Sequence, residues 1–348
     1  MRVPGPDEYL AMLDAAAEGG YAYPAINVTS SQSLNAAVRG FSEAGSDGIV
    51  QITTGGAAYL AGAGGDAARG ARALAAYAHE LADGGGVTVA LHTDHCPPGD
   101  VDTFLSPLIA ETARRHANGE QPLFNSHMFD GSSLPLEENL ERSAELLADC
   151  AAAGVVLELE CGVVGGEEDA ISAEGVAPER LYTTPEDLLK VAAALGTGER
   201  GRYLLAATFG NVHGIYAPGH VKLRPEILGE GQEALAAAHP GARFQYVFHG
   251  SSGSSDDDIR AAISHGVVKI NIDSDTQYAF TRAIAGHVLV HYDGVLKVDG
   301  GIGDKKAYDP RAWGRAAEAA MAERVSAACE LFGSAGRSLS RSARAGAS

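Results

Sequence analysis

Three histidines that lie far apart in the chain, His95, His213 and His249, each come at or just after the end of an apolar, strand-like run. Each is flanked by Asp or Gly. For one histidine alone, a satisfied half-buried side chain is the simpler interpretation. Three neutral imidazoles that converge from different strands, with a fourth position open, are the ligand set of a catalytic Zn²⁺ site. The combination therefore predicts a metal site.

Glycine-rich segments suggest two further kinds of chemistry. NVHG (211–214) and HGSSGSS (249–255) follow apolar runs. Turns of this kind expose backbone N–H groups that bind phosphate, although tight turns without a ligand are the alternative. The segment GVVGGEED carries Glu167 and Glu168 among glycines. We interpret it as a lid that carries a proton-transfer group into a closed site, the alternative being a solvated acidic loop.

A scaffold must bring these distant residues together. Eight apolar runs alternate with Ala-rich helical stretches, and parallel strands covered on both faces have this nearly continuous apolar character. The pattern predicts a (β/α)8 TIM barrel, with a doubly wound open sheet as the alternative. Such barrels carry their chemistry at the carboxyl ends of the strands. The runs are 22–28, 48–54, 87–95, 123–130, 155–162, 203–210, 244–250 and 267–273.

Asp94 and His95 are neighbours in the run VTVALHTDHC. Adjacent residues of a strand face opposite ways, so the two side chains can share a site only where the chain leaves the barrel. Pro97 and Pro98 predict an abrupt exit at this point.

Composition limits the class of protein. The chain has 348 residues, of which 45% are hydrophobic, and a formal net charge of −19. This charge argues against nucleic acid or an anionic membrane surface as a partner. The chain lacks both a run long enough to span a membrane and an apolar signal segment, and four scattered cysteines suit a reducing cytoplasm. We expect one barrel domain over 1–332 and a flexible tail over 333–348.

Eight motifs between residues 7 and 332, in unbroken order, resemble the class II, zinc-dependent fructose-1,6-bisphosphate aldolases of the actinobacterial type. The resemblance implies a homo-dimeric or homo-tetrameric barrel enzyme. Its substrate would be a sugar phosphate, a ketose bisphosphate that is cleaved to dihydroxyacetone phosphate and glyceraldehyde 3-phosphate. Zn²⁺ would be the cofactor, with room for a second divalent ion and a monovalent cation. The motifs are ALHTDHC, FNSHMFDGS, LELECGVVGGEED, AATFGNVHGIY, VFHGSSGS, VVKINIDSDTQYAFTR, YDGVLKVDG and KKAYDPR.

The resemblance also implies residue roles. Asp94 would take and return the proton of the C4 hydroxyl, and Glu168 on the lid would move the proton of the nucleophilic carbon. The zinc ligands would be His95, His213 and His249, with Glu160 near a second or alternative metal position. The ketone-side phosphate would be bound by Gly214, Gly250, Ser252, Asp273 and Ser274. The other substrate contacts would be Asn271 at the enediolate, Arg311 at the far phosphate from across a subunit boundary, and Asn27 and Thr53 on the rim.

Two positions depart from the family pattern. Ala217 stands where a phosphate-binding lysine is usual, and Ser251 stands where a glycine is usual. A lost cation would weaken phosphate binding by roughly 1.5–3 kcal/mol, and a serine adds a Cβ where the backbone can require a positive φ. One hypothesis is an aldolase of specialised sugar metabolism with an altered donor or acceptor. The other is an ordinary glycolytic enzyme in which Lys222 or backbone amides compensate.

Two rival functions remain at this stage. A barrel metallohydrolase would use the same ion to activate water. Such sites usually begin with His-x-His on the first strand, whereas this strand ends in INVTS. A non-enzymatic scaffold descended from an aldolase would be expected to have lost its ligands, yet the candidate ligands and carboxylates are present.

Overall fold

The structure is a computed structural model that describes residues 1–82, 86–162, 165–168, 171–172, 181–213, 223–297 and 300–340. At 165–168, 171–172 and 212–213 the description covers the backbone alone.

Eight parallel strands close into a barrel. They are β1 (Tyr23–Asn27), β2 (Gly48–Ile52), β3 (Val89–Cys96), β4 (Ser126–Phe129), β5 (Val156–Cys161), β8 (Tyr203–Ala207), β10 (Tyr246–Phe248) and β11 (Val267–Ile272). The order around the barrel is β1-β11-β10-β8-β5-β4-β3-β2, and β1 pairs with both β2 and β11 to complete the ring. Each strand coincides with one of the eight predicted runs, although β3 continues one residue beyond its run. The TIM-barrel prediction is confirmed, and the open sheet is excluded.

Three short strands form a separate sheet. They are β6 (Gly165–Glu168), β7 (Ile171–Ser172) and β9 (Val212–His213). β6 pairs antiparallel with β7 and parallel with β9, with Gly166 opposite His213. The backbone of the predicted lid segment therefore lies beside that of one predicted zinc ligand.

Amphipathic helices follow the barrel strands, and capping residues mark their ends. Ser30 begins α2 with a capping box, and Gly45 in the left-handed conformation ends it. The helices are α1 (Pro6–Gly19), α2 (Ser31–Ala44), α3 (Thr54–Leu60), α4 (Ala67–Glu80), α5 (Ser106–Ala117), α6 (Leu136–Ala153), α7 (Pro185–Leu195), α8 (Glu226–Ala238), α9 (Asp256–Ser264), α10 (Ser274–Val290), α11 (Tyr292–Leu296), α12 (Lys305–Tyr308) and α13 (Pro310–Leu331). α13 packs between α2 and α10 and so completes the outer layer beside β1.

The helix α1 packs its apolar side chains against residues of the barrel strands. Tyr9, Met12 and Leu13 of this helix are buried in one cluster with apolar residues of the strands, including Ile49 and Val268. A larger cluster lies between the strands and the outer helices. The barrel interior is therefore a packed core.

The first half of the predicted tail is folded. Ser334 and Ser338 are fully buried. The buried carboxylate of Asp47 accepts hydrogen bonds from Ser338 Oγ at 2.7 Å and from the backbone N–H of Leu339 at 2.8 Å. The prediction of a flexible tail from residue 333 is therefore wrong up to residue 340, because these polar groups find a buried partner. Residues 341–348 lie outside the described residues.

Within the part of the chain that the structure describes, no helix has the length and apolar character needed to cross a bilayer.

Candidate active site

Two of the predicted zinc ligands meet at the mouth of the barrel. His95 Nε2 lies 2.9 Å from His249 Nδ1. The far nitrogen of each ring contacts a buried carboxylate: His95 Nδ1 is 2.9 Å from Asp130 Oδ2, and His249 Nε2 is 2.8 Å from Glu158 Oε1. An ionised carboxylate only accepts, so each far nitrogen carries the proton and the two near nitrogens present lone pairs to each other. Facing lone pairs of this kind fit a shared cation.

The protonation states follow from the surroundings. Burial lowers the pKa of His249, which keeps its imidazole neutral and able to bind a metal. Burial alone would raise the pKa of Asp130, but the hydrogen bond that it accepts from His95 holds that pKa well below the usual range. Asp130 therefore stays ionised and fixes the tautomer of His95.

Carboxylates surround the two imidazoles. Glu160 Oε2 lies 3.7 Å from His249 Nδ1, and Glu160 is almost fully buried. Asp94, His95 and His249 form one group whose ligand atoms lie within 4.8 Å of one another, and His95, Asp130 and Glu160 form another. Imidazole nitrogen with carboxylate oxygen is a donor set that suits Zn²⁺. The side chain of His213 lies outside the described residues.

Asp94 and His95 share the site although β3 continues through both of them to Cys96. The prediction that the chain leaves the barrel at this point is therefore wrong. The pairing of β3 with β4 instead shifts register between Thr93 and Cys96, and His95 has a φ of 21°, which is unusual for a residue with a side chain. The regular alternation of side chains along β3 is broken here, so the side chains of Asp94 and His95 both point toward the candidate site.

Three side-chain amides hold the buried carboxylate of Asp94. Asn27 Nδ2 donates at 3.0 Å and Gln51 Nε2 at 2.9 Å to Oδ2, and Asn271 Nδ2 donates at 3.2 Å to Oδ1. The donors come from β1, β2 and β11, so three strand ends position one acid. Asn27 and Asn271 were predicted for this site. Gln51 was not, although a glutamine within the apolar run GIVQI was a usable signal.

Beneath the imidazoles, on the inside of the barrel, lies an ion pair that the sequence analysis did not assign. Lys269 Nζ is 2.9 Å from Glu158 Oε2, and both side chains are fully buried. Burial alone would raise the pKa of Glu158, but the Lys269 ammonium and the nearby histidines hold it well below its usual range. The signal in the sequence was a lysine in the apolar run VVKINI of β11.

Two of the segments predicted to bind phosphate, the turn after β10 and the start of α10, lie next to each other. Gly250 has a φ of 63°, and Ser251 Oγ donates to the backbone carbonyl of Asn271 at 2.7 Å. This bond ties the turn after β10 to the end of β11, where Asp273 and Ser274 begin α10. Ser251 is not among the described non-glycine residues with positive φ, so its side chain causes no backbone strain there. Ser252 is half-buried in the same turn.

The other residues named for the site either make local contacts on their own elements or lie outside the described residues. Thr53 follows β2 and caps α3 by accepting a hydrogen bond from Gly56 N at 3.0 Å. Arg311, at the start of α13, is 79% exposed and pairs with Asp309 at 2.7 Å. A single chain therefore does not bury Arg311 in the candidate site. Gly214, Ala217 and the side chain of Glu168 lie outside the described residues.

The closed barrel and the cluster at its carboxyl-terminal mouth define the chain as a (β/α)8-barrel enzyme with a candidate metal centre. A family model described as fructose-bisphosphate aldolase class-II matches residues 7–337. The chain belongs to this family, whose members depend on a metal ion, and it is a carbon–carbon lyase.

Individual relatives agree with the family assignment. The chain is 54% identical to a fructose-bisphosphate aldolase of Mycobacterium leprae (strain TN), over 98% of this chain and 100% of that protein. It is 55% identical to one of Streptomyces galbus, over 97% and 100%. A crystal structure of the Campylobacter jejuni fructose-bisphosphate aldolase is similar with a TM-score of 0.84 and 37% identity, covering 97% of each chain. The aldolase interpretation is supported over the altered-substrate paralogue and the metallohydrolase.

Proposed function

We propose that this enzyme uses Zn²⁺ to cleave fructose 1,6-bisphosphate to dihydroxyacetone phosphate and glyceraldehyde 3-phosphate, and that it catalyses the reverse condensation. The observation that carries the proposal is the contact between His95 Nε2 and His249 Nδ1, 2.9 Å apart, with the far nitrogen of each ring against a buried carboxylate. His213 would supply the third nitrogen, and Glu160 would serve a second or alternative metal position. A second divalent ion and a monovalent cation remain part of the proposal.

The bound ion would supply a Lewis acid that stabilises negative charge on the ketone and hydroxyl oxygens of the substrate. Asp94 takes the proton of the C4 hydroxyl during cleavage and returns it during condensation. Its three amide donors hold the carboxylate in one orientation beside the imidazoles. Asn271, held against Asp94, would also bind the enediolate oxygen.

The remaining substrate roles follow the arrangement of the turns. Gly250 and Ser252 in one turn, with Asp273 and Ser274 at the start of α10, would bind the ketone-side phosphate, together with Gly214. The N-terminus of α10 favours an anion there. Glu168, on the strand that pairs with the His213 segment, would move the proton of the nucleophilic carbon. Asn27 and Thr53 would line the rim.

A homo-dimer or homo-tetramer is part of the proposal. Among the described residues near the carboxyl-terminal end of α10 and beyond it, Leu289 is 74%, Val290 79% and Ile302 90% exposed. Large apolar side chains exposed to this extent suit a surface that another protein covers. A second copy seated there would suit the proposed role of Arg311, whose guanidinium is exposed on its own chain and would contact the far phosphate in a neighbouring site.

We also propose a cytoplasmic location, without nucleic acid or membrane as a partner. All four cysteines are free and buried, as in proteins that fold in a reducing compartment. The net charge of −19 disfavours polyanionic partners.

Metal content and aldolase activity, measured on the same samples, test the proposal. Wild-type protein should contain zinc and release triose phosphate, and a chelator should abolish the activity. His95→Ala and His249→Ala should lose the zinc and at least about 10²–10⁴-fold in kcat, the usual cost of one catalytic group. His239→Ala, at an exposed histidine after α8, is the matched control and should change neither. Full activity in the metal-free protein would contradict the proposal.

A further inference from the structure

Lys269 lies inside the barrel, fully buried, directly beneath the candidate site. Its ammonium group is 2.9 Å from Glu158 Oε2, 3.2 Å from Glu158 Oε1 and 2.7 Å from Asn271 Oδ1. Ammonium groups are seldom fully buried, and here the buried charge has both a carboxylate and an amide oxygen as partners. The same ammonium therefore contacts two side chains that lead to different parts of the site.

The first connection leads to the metal ligand. Glu158 Oε1 contacts His249 Nε2 at 2.8 Å and thereby fixes which nitrogen of that ring carries the proton. An uncompensated carboxylate at this depth would cost several kcal/mol. Lys269 supplies the compensating charge, so the carboxylate that orients His249 can remain in place.

The second connection leads to the proposed acid–base residue. A lysine only donates hydrogen bonds, so the amide of Asn271 must present its oxygen to Lys269. Its NH₂ group must then point the other way, and it lies 3.2 Å from Asp94 Oδ1. A rotated amide would turn its oxygen toward the Asp94 carboxylate, which would be repulsive. Lys269 therefore sets the orientation in which Asn271 can donate.

We propose that Lys269 is a positioning residue for the aldol reaction, which acts through Glu158 on the ring of His249 and through Asn271 on the carboxylate of Asp94. This inference rests on the proposed functions of His249, Asn271 and Asp94. It predicts that the two connections can be separated by mutation, because the first depends on the charge of Lys269 and the second on its N–H donor.

The test uses two variants, with metal affinity and kcat measured separately. Lys269→Met keeps the length of the side chain but removes both the charge and the donor. Loss of a residue that orients a metal ligand typically costs 10–100-fold. We expect metal affinity, measured by competition with a chromogenic chelator, to fall about 10–100-fold. We also expect kcat at saturating Zn²⁺ to fall by a similar factor.

The double variant Lys269→Met with Glu158→Gln separates the two effects. Its neutral glutamine can still accept from His249 Nε2 and can donate toward His92 Nε2, which lies 3.6 Å from Glu158 Oε2 and has no hydrogen-bond partner among the described residues. No buried charge is left uncompensated, so this variant should fold even if the single variant does not. Metal affinity should return to near the wild-type value. The kcat should stay low, because no ammonium group donates to Asn271 Oδ1 in this variant.

Tyr9→Phe serves as the matched control, since it removes a buried hydroxyl from the same barrel interior, where Tyr9 Oη contacts Ser126 Oγ at 3.1 Å. It should change neither readout. The inference is overturned if Lys269→Met behaves like this control, or if the double variant recovers kcat as well as metal affinity, or recovers neither. A wild-type protein without zinc or without aldolase activity would instead overturn the proposed function.

Discussion

His127 lies fully buried in β4, with its Nδ1 2.8 Å from Thr93 Oγ1, and burial lowers its pKa to about 3. The unfolded chain has an ordinary histidine pKa of about 6.5, so between these two values only the unfolded state takes up the proton. This histidine therefore costs stability as the pH falls below 6.5, by about 2 kcal/mol at pH 5.

Replacement of His127 by leucine should remove this pH dependence. The slope of the unfolding free energy against pH, between about pH 6 and 4, should become shallower by about one proton. Urea unfolding at several pH values, with a chelator in every sample so that metal binding does not contribute, measures the slope. Equal slopes in the two proteins would show that His127 is protonated in the folded state as readily as in the unfolded state.

The sequence allowed prediction of residues at strand ends better than of residues within strands. Asp94, His95, His249, Asn27 and Asn271 stand out because polar groups follow apolar runs. Gln51 and Lys269, which lie within strands, were missed as site residues, and so was Asp130, which directly follows β4. A single polar residue inside a run can face either the barrel interior or a helix, and only the register of the closed barrel decides between them. The register break at His95 could not be predicted, because it depends on pairing with β4.

At the scale of elements, α3 and α4 cross very closely. A Cβ on Gly70 in α4 would overlap the backbone carbonyl of Ala57 in α3. Gly70→Ala should therefore destabilise the protein by about 1–3 kcal/mol or more, because a backbone oxygen cannot rotate away as a side chain can. Thermal unfolding measures the loss.

Gly64→Ala is the matched control for this pair of helices. Gly64 lies in the short turn Gly62–Gly64 between them, and a Cβ there would meet nothing within 4 Å. The control should unfold like the wild type. If both variants lose the same stability, the cost comes from loop chemistry and not from the helix crossing.

The same region shows why element prediction succeeded in most places and failed in one. The eight barrel strands and helices such as α2, α6 and α7 have strong periodicity and clear caps. The glycines of LAGAGGDAARG at 60–70 are, taken alone, typical of a long loop of the kind that forms lids. Most of this stretch is instead the end of α3, a short helical turn and the start of α4, where Asp66 caps the helix through Arg69 N. The high helix propensity of the alanines and the cap at Asp66 favour helix here, despite the low helix propensity of the glycines.

At the scale of the whole molecule, the segment 334–340 fastens the carboxyl-terminal part of the chain to the barrel. A chain that ends at residue 340 should be as stable as the full-length protein. A chain that ends at Phe332 should lose about 3 kcal/mol or more, because the buried carboxylate of Asp47 would lose two hydrogen bonds. Chemical denaturation of the two truncated proteins makes the comparison. Equal stability would mean that water replaces the lost donors at no cost.

The prediction of a flexible tail failed because it used only the composition of the tail, which contains no information about distant partners in the fold. SAGRSLSRSARAGAS consists of small, polar and basic residues, which are typical of disordered ends. Its partner, Asp47, lies about 290 positions earlier in the chain, and nothing in the tail itself identifies that partner. The single-barrel architecture could be predicted because alternating strands and helices repeat along the whole sequence.

The packing of α1 against the barrel strands has a consequence for biosynthesis. α1 leaves the ribosome before any of the barrel strands, yet Leu13 packs in one cluster with Val268 of the last barrel strand. Contacts between such distant parts of a chain form late and slow folding. For most of translation the nascent protein therefore carries a helix with an unburied apolar face. We expect newly made chains to need a chaperone at this helix until the final strand has been synthesised.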